Sequence, residues 1–331
     1  MPEQTHLRLL LSGAGAPLLD QIVLPDVLVR EQGGLVSRAA LAAALNLELL
    51  ADLLQRVPSG RAYFADIVRG GRKLHFDHGA VRTVALEDMG QLPAGQSAIT
   101  RVLEPLGYDS THTYPMPRLK MTGRSHTQRD FPQALPQFFV SELHPEQFSP
   151  AFQDAVRRVT RDSADPLTAG DLVLLAVLRK EQALPLEQAQ ALLPKLSACF
   201  SRRHEAPHLA DYEVLRAESA EMAWIATEGN AFNHATDRVS SLANVVSRQR
   251  ALGRRIKDRI EVSASGRVRQ TALHADPVVR DFRIANGDRV WRKVPGSFFE
   301  FIERAKLPGE DRLDLAFDTN NAQGIFKMTA A

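Results

Sequence analysis

Residues 76–84 read FDHGAVRTV, the centre of a strand-like run, KLHFDHGAVRTVAL, over 73–86. If 76–84 is a strand, His78 and Arg82 share a face because their offset is even. In a helix they would also be neighbours, at i and i+4. Either way the imidazole and the guanidinium can look into one cavity. A metal-bound imidazole beside a fork that grips carboxylates suits an acidic substrate. A turn histidine next to a surface ion pair would explain the same residues. Gly79 allows a close approach to the backbone. His75 has an odd offset from His78, which sends the two to opposite faces of a strand.

Outward from this stretch the texture alternates. Upstream, Ser37 is placed to cap a helix carrying Leu41, Leu45, Leu49 and Leu53 at four-residue spacing. Downstream, TYPMPRLKMTGRSH (113–126) and QFFVSEL (137–143) continue the strand-like texture. Ser149-Pro150 starts a second helical region, with Phe152, Val156 and Val159 on its apolar stripe. Leu186, Ala189, Leu193 and Leu196 mark another helix after Pro185. From about Ala223 the chain reads as strand-rich again. IEVSASGRVRQTAL (260–273) predicts a hairpin around Ser265-Gly266, and DFRIANGDRVWRKV (281–294) predicts one at Asn286-Gly287. SFFEFIER (297–304) is an apolar, aromatic strand. The tail LAFDTNNAQGIFKM predicts a turn and a short terminal helix. No repeat of 20–50 residues is visible. The expected fold class is α+β, in one catalytic unit. It divides into a mainly helical segment (1–70), a first β-rich half (71–145), a helical segment (146–215) and a second β-rich half with a C-terminal helix (216–331).

The chain has 331 residues, 41 Lys plus Arg and 39 Asp plus Glu, a formal net charge of +2. That balance argues against a dedicated binder of nucleic acid or anionic membranes. One cysteine, Cys199, excludes an intrachain disulfide and a multi-thiolate metal site, and fits a reducing cytoplasm. The apolar runs Leu7–Leu11 and Leu172–Leu178 are too short to span a bilayer. The cationic run from Arg248 to Arg259 reads as a solvated helix face.

Of the ten histidines, His6, His204 and His208 read as solvated. Two further contexts stand out beside His78. His234 lies in AFNHATDRV (231–239), and Glu300 lies between Phe299 and Phe301 in GSFFEFIER (296–304). A carboxylate in an aromatic strand must be paired, protonated or bound to a cation if it is buried. Alternatively it faces water from an edge strand. Two histidines and one carboxylate make the facial triad that suits non-haem Fe(II), with three positions left for substrate and O₂. His78, His234 and Glu300 are 156 and 66 residues apart, so spacing alone does not join them.

FDHGAVRTV, the block GYDSTHTYPMPRLKMTGRSH with FFVSEL, AFNHATDRV, VPGSFFEFIER and FDTNNAQGIF together resemble the 2-oxoadipate dioxygenase/decarboxylase family. That family, formerly a domain of unknown function, is related to the vicinal oxygen chelate (glyoxalase-type) superfamily. The resemblance runs from about Leu74 to Phe326. FFEFIER is also similar to the last ligand strand of 4-hydroxyphenylpyruvate dioxygenase. The resemblance implies two β-rich halves forming a curved, barrel-like mixed sheet around a metal, with His78, His234 and Glu300 binding Fe(II). Arg82 is implied as the clamp on the substrate carboxylate. Lys120 and Ser141 are implied at the distal carboxylate, although Lys120 equally reads as a solvated strand residue. Phe326 is implied as a cover on the pocket or as plain packing. The implied reaction is 2-oxoadipate plus O₂ to 2-hydroxyglutarate plus CO₂, with a small 2-oxo acid and O₂ as the partners. Some family members extend further at the C-terminus, and contacts from that extension have no counterpart in this sequence. Three other readings exist. One is a glyoxalase-type metal lyase or isomerase, which needs four protein ligands. Another is an extradiol-type dioxygenase with His112 or His126 as acid/base. The last is a non-catalytic binding protein with the 248–259 run as a nucleic-acid patch.

Overall fold

The computed structural model describes residues 4–11 and 13–318. The expected terminal helix, and Phe326 on it, lie outside the described residues. The strands are β1 (Leu35–Ser37), β2 (Phe76–Val84), β3 (Tyr108–Met116), β4 (Met121–Gln128), β5 (Gln137–Leu143), β6 (Ala183–Pro185), β7 (His234–Arg238), β8 (Glu261–Val262), β9 (Val268–Ala272), β10 (Pro277–Arg283), β11 (Arg289–Pro295) and β12 (Phe298–Arg304).

Eight of them form one mixed sheet in the order β3-β4-β5-β2-β7-β12-β9-β8, curled as a half-barrel. This is an α+β fold. β2 runs parallel to β5, β7 runs parallel to β12, and β2 and β7 meet antiparallel at the centre. The two halves therefore repeat one topology: a central strand, an outer hairpin, and a return strand parallel to the first. The repeat lives in the strand order, which is why no sequence period discloses it. Cross-strand pairing at the centre of the sheet brings the candidate site residues together. His78 and Arg82 of β2 pair with Gln137 and Ser141 of β5, while Thr236 of β7 pairs with both His78 and Glu300.

Helices pack against the outside. Ser37 caps Arg38–Arg56, its hydroxyl accepting from the Ala40 N–H at 3.1 Å. This helix is buried on almost every side rather than along one leucine stripe. It lies between the sheet and the helix Leu186–Ala198, so alanines as well as leucines face protein. β1 and β6 pair and tie the two helical segments together. The Ser149-Pro150 start and both hairpins form as read, with Gly266 and Gly287 at φ +70° and +86°.

TYPMPRLKMTGRSH, read as strand-like texture, forms the end of β3, a turn at Pro117–Leu119 and most of β4. One expectation changes. The region from Ala223 is not immediately strand-rich. Helix Ala220–Glu228, capped by Ser219, and helix Leu242–Ala251 flank β7. Trp224 and Ile225 have strand propensity, but burial against the first half of the sheet overrides it.

Candidate metal centre

Adjacent residues of a regular strand point to opposite faces. β2 breaks that rule at Asp77: its register against β7 slips between Phe76 and His78. The extra residue is a β-bulge, a device that re-aims side chains. Here it brings Asp77 Oδ1 to 2.8 Å from His78 Nδ1. Asp77 is fully buried and also receives Arg238 at 2.6 Å and Arg304 at 2.9 Å. Across the seam, Asn233 Oδ1 lies 3.0 Å from His234 Nδ1. Each imidazole thus has an oxygen acceptor on Nδ1, which leaves Nε2 as the ligating nitrogen.

Both Nε2 atoms face Glu300. Glu300 Oε2 lies 3.2 Å from His78 Nε2 and 3.5 Å from His234 Nε2. The Thr236 hydroxyl donates to the same oxygen at 2.7 Å. All three side chains are buried, Glu300 completely, and their ligand atoms lie within 4.8 Å of one another. Glu300 Oε1 is buried with no hydrogen-bond partner among the described residues. A buried carboxylate oxygen left this way carries a heavy desolvation penalty, which a cation would relieve. The donor set of two imidazoles and one carboxylate fits a divalent metal of the Fe(II) type.

Without a cation the two imidazoles differ in charge preference, and ligation requires His78 to give up its proton. Burial pushes His234 down to about 3, against the attraction of Glu300, so it is neutral at physiological pH. Burial also lowers His78, but hydrogen bonds to Asp77 and Glu300 outweigh it and hold its pKa above the usual value. Burial raises Glu300 and Asp77, yet both carboxyls are held below their usual value, Glu300 by the two imidazoles and the Thr236 hydroxyl, Asp77 by Arg304, His78 and Arg238.

Beside the triad is a small cavity. Arg82 lies in its wall, 1% exposed, with its guanidinium 5.0 Å from the Trp224 ring centre. Burial lowers Arg82 to about 10, with Glu221 opposing, so it keeps its charge at neutral pH. Ser141 is in the same wall, and Phe139 and Phe317 make it largely apolar. Lys120 is elsewhere. It sits in the β3–β4 turn at φ +53°, with its ammonium 4.0 Å over the Phe148 ring. The structure therefore does not bring it to this cavity, because the chain reverses there. His112 is exposed, and His126 pairs with Phe138, on the face opposite to Phe139. His75 approaches Arg238 rather than the triad.

A sequence model of the 2-oxoadipate dioxygenase/decarboxylase family matches residues 48–327. The chain belongs to this family. The chloroplastic family member of Arabidopsis thaliana is 27% identical over 215 residues, covering 59% of this chain and 51% of its own. The chloroplastic/amyloplastic one of Oryza sativa subsp. japonica is 24% identical over 307 residues, covering 84% and 75%. The chain thus spans about half the length of the first relative and three quarters of the second. Among solved structures, a protein of Ralstonia eutropha JMP134 assigned to the glyoxalase superfamily is 51% identical, with a TM-score of 0.89 over 95% of this chain and 97% of its own. The rice hydroxyglutarate synthase, solved with 2-oxoadipate, shares the fold: 21% identity and a TM-score of 0.69 over 94% and 95%.

The two halves of the sheet differ at one position beside the ligands. Set the two halves on each other so that His78 overlies His234. Gln137, the partner of His78, then overlies Phe298, the partner of His234, and Phe139 overlies Glu300. The first half offers a phenyl ring where the second offers a carboxylate. Asp77, Asn233, Thr236 and Trp224 went unread in the sequence. The only local signal was the D-H and N-H adjacency, and regular strand alternation sends such neighbours to opposite faces. His6 and His204, expected to be solvated, are buried and hydrogen-bonded to Gly33 and Ala226 carbonyls. Both plant relatives are named chloroplastic, so the comparisons do not bear out the expected cytoplasmic location. No helix among the described residues is long and apolar enough to cross a membrane.

Proposed function

We propose that this protein is an Fe(II)-dependent dioxygenase/decarboxylase that converts 2-oxoadipate and O₂ to 2-hydroxyglutarate and CO₂. The observation that carries the reading is the convergence of His78, His234 and Glu300 in a buried site with an unpartnered carboxylate oxygen. Those three residues would hold the metal, and when bound it supplies the oxidative chemistry that side chains lack. The overall change balances. C1 leaves as CO₂, one atom of O₂ enters the new carboxylate, and the other enters the hydroxyl.

The chain's own residues bind, orient and exclude water. Arg82 presents its fork to a substrate carboxylate, set in place by the Trp224 ring beneath it. Asp77 and Asn233 hold both imidazoles in the tautomer that ligates. Phe139 and Phe317 line the cavity and keep it dry. A glyoxalase-type lyase would need a fourth donor, and Phe139 stands at the place where the pseudo-symmetry would put it.

The test is anaerobic reconstitution with Fe(II), followed by oxygen uptake with a panel of 2-oxo acids. Equal amounts of O₂ consumed and CO₂ released with 2-oxoadipate are expected. A metal-loaded protein that consumes no O₂ with any 2-oxo acid overturns the proposal.

A further inference from the structure

Beyond β12 the chain returns across the cavity, and its contacts there reach both halves of the sheet. Toward the first half, the Phe317 N–H donates to the Tyr114 hydroxyl at 3.0 Å, and Gln137 donates to the Leu315 carbonyl at 3.2 Å. Toward the second half, Arg267 pairs with Asp314 at 2.7 Å, and the Ala264 N–H donates to Asp318 at 2.9 Å. The segment Leu313–Asp318 is therefore a strap. It sets the Phe317 ring 4.8 Å from the His78 ring and 5.1 Å from the Phe139 ring.

One side chain joins this strap to the ligand sphere. Arg304 is fully buried at its side chain. Its Nε and Nη2 donate to Asp77, the residue that holds His78 Nδ1. Its Nη1 donates to the Asp314 and Ala316 carbonyls, both at 2.9 Å. Its guanidinium carbon lies 5.0 Å from the Phe317 ring centre. A planar fork can satisfy both sides at once, whereas an ammonium cannot.

We propose that Arg304 is a positioning residue that couples His78 to the strap, so that metal binding and the seating of Phe317 over the site favour each other. The proposal rests on the reading of His78, His234 and Glu300 as metal ligands. Asp77, fixed by Arg304, holds His78 in its ligating orientation, and the same guanidinium fixes the carbonyls that carry Phe317. Coupling of this kind is reciprocal: whatever loosens the strap weakens the metal, and the metal tightens the strap.

The test uses the full chain and Mn(II) alone as a redox-stable probe. Hydrogen exchange of the 313–318 amides is followed with and without Mn(II), in the unaltered protein, in Arg304→Lys and in Phe317→Ala. Mn(II) is expected to slow exchange across the strap several-fold in the unaltered protein. Arg304→Lys should abolish that slowing and weaken Mn(II) about tenfold, at the lower end of effects for residues behind metal ligands. Strap exchange that ignores bound Mn(II) in the unaltered protein overturns the coupling, and so does an Arg304→Lys variant that keeps both the slowing and the affinity. Should Arg304→Lys fail to fold, Phe317→Ala decides: faster Mn(II) release supports the proposal and an unchanged rate overturns it. An unaltered protein that binds no Mn(II) overturns the ligand reading and this inference together. Metal bound with an indifferent strap overturns this inference alone.

Discussion

His78 Nε2 and Glu300 Oε2 lie 3.2 Å apart, although they belong to opposite halves of the sheet. The short separation joins a nitrogen donor and a carboxylate that no sequence spacing links. His234→Ala removes one donor from this cluster, and Glu300→Gln removes its charge. Each should cost more than about 100-fold in metal affinity, since even the residues behind the ligands are worth 10–100-fold. Metal content after dialysis is the measurement. Full stoichiometry retained in both variants would remove the site.

Arg82 is enclosed by protein and keeps its charge, so in the proposed reaction its fork would orient the substrate carboxylate. Arg82→Lys retains a cation but loses the fork. Hydrogen bonds to a charged group contribute about 1.5–3 kcal/mol each, so losing one should raise KM roughly 10- to 150-fold. Metal content should not change. Oxygen-uptake kinetics and metal analysis on the same sample separate the two effects. A variant with an unaltered KM would mean that the carboxylate is held elsewhere.

The hairpins at Gly266 and Gly287 and the capped helices after Ser37 and Ser149 were legible because short-range chemistry decides them. Turn residues and caps act over two to four positions. The even offset of His78 and Arg82 likewise put both on one face of β2. The support behind the ligands was not legible. The Asp77–His78 contact depends on a bulge that only the pairing of β2 with β7 creates, and Arg304 reaches Asp77 across 227 residues. Lys120 was misplaced for a similar reason. Only the family resemblance brought it near the substrate, and the turn at Pro117–Leu119 carries it away from the cavity.

Gly79, next to His78, is required by packing. A Cβ there would stand 2.3 Å from the Phe232 ring, which is buried against Phe76 and Phe138. The ring cannot retreat without opening the core, so Gly79→Ala should destabilise the fold by about 1–3 kcal/mol, the usual cost of overpacking. At Gly34 nothing lies within 4 Å of the same added atom, and Gly34→Ala is the matched control. Urea midpoints for the two variants test the contrast. Equal midpoints would show that Phe232 moves freely.

His204 gives the fold an acid limit away from the metal centre. It is 8% exposed, its Nε2 lies 3.0 Å from the Ala226 carbonyl, and burial pushes its pKa down to about 4. In the unfolded chain a histidine titrates near 6.5. The folded value is the lower one, so the unfolded chain binds more protons between those limits. Its contribution to stability is complete above about pH 6.5 and is lost as the pH falls toward about 4. By pH 5 the loss amounts to about 2 kcal/mol, from 1.36 kcal/mol per pKa unit. His126, also pushed down to about 4 by burial, acts in the same window. His204→Gln keeps a donor for the Ala226 carbonyl but cannot protonate. It should therefore flatten the fall in stability between pH 7 and pH 5 by about 2 kcal/mol without abolishing it. Urea unfolding at the two pH values measures this, and an identical fall in both proteins would mean that His204 accepts its proton inside the fold at no cost.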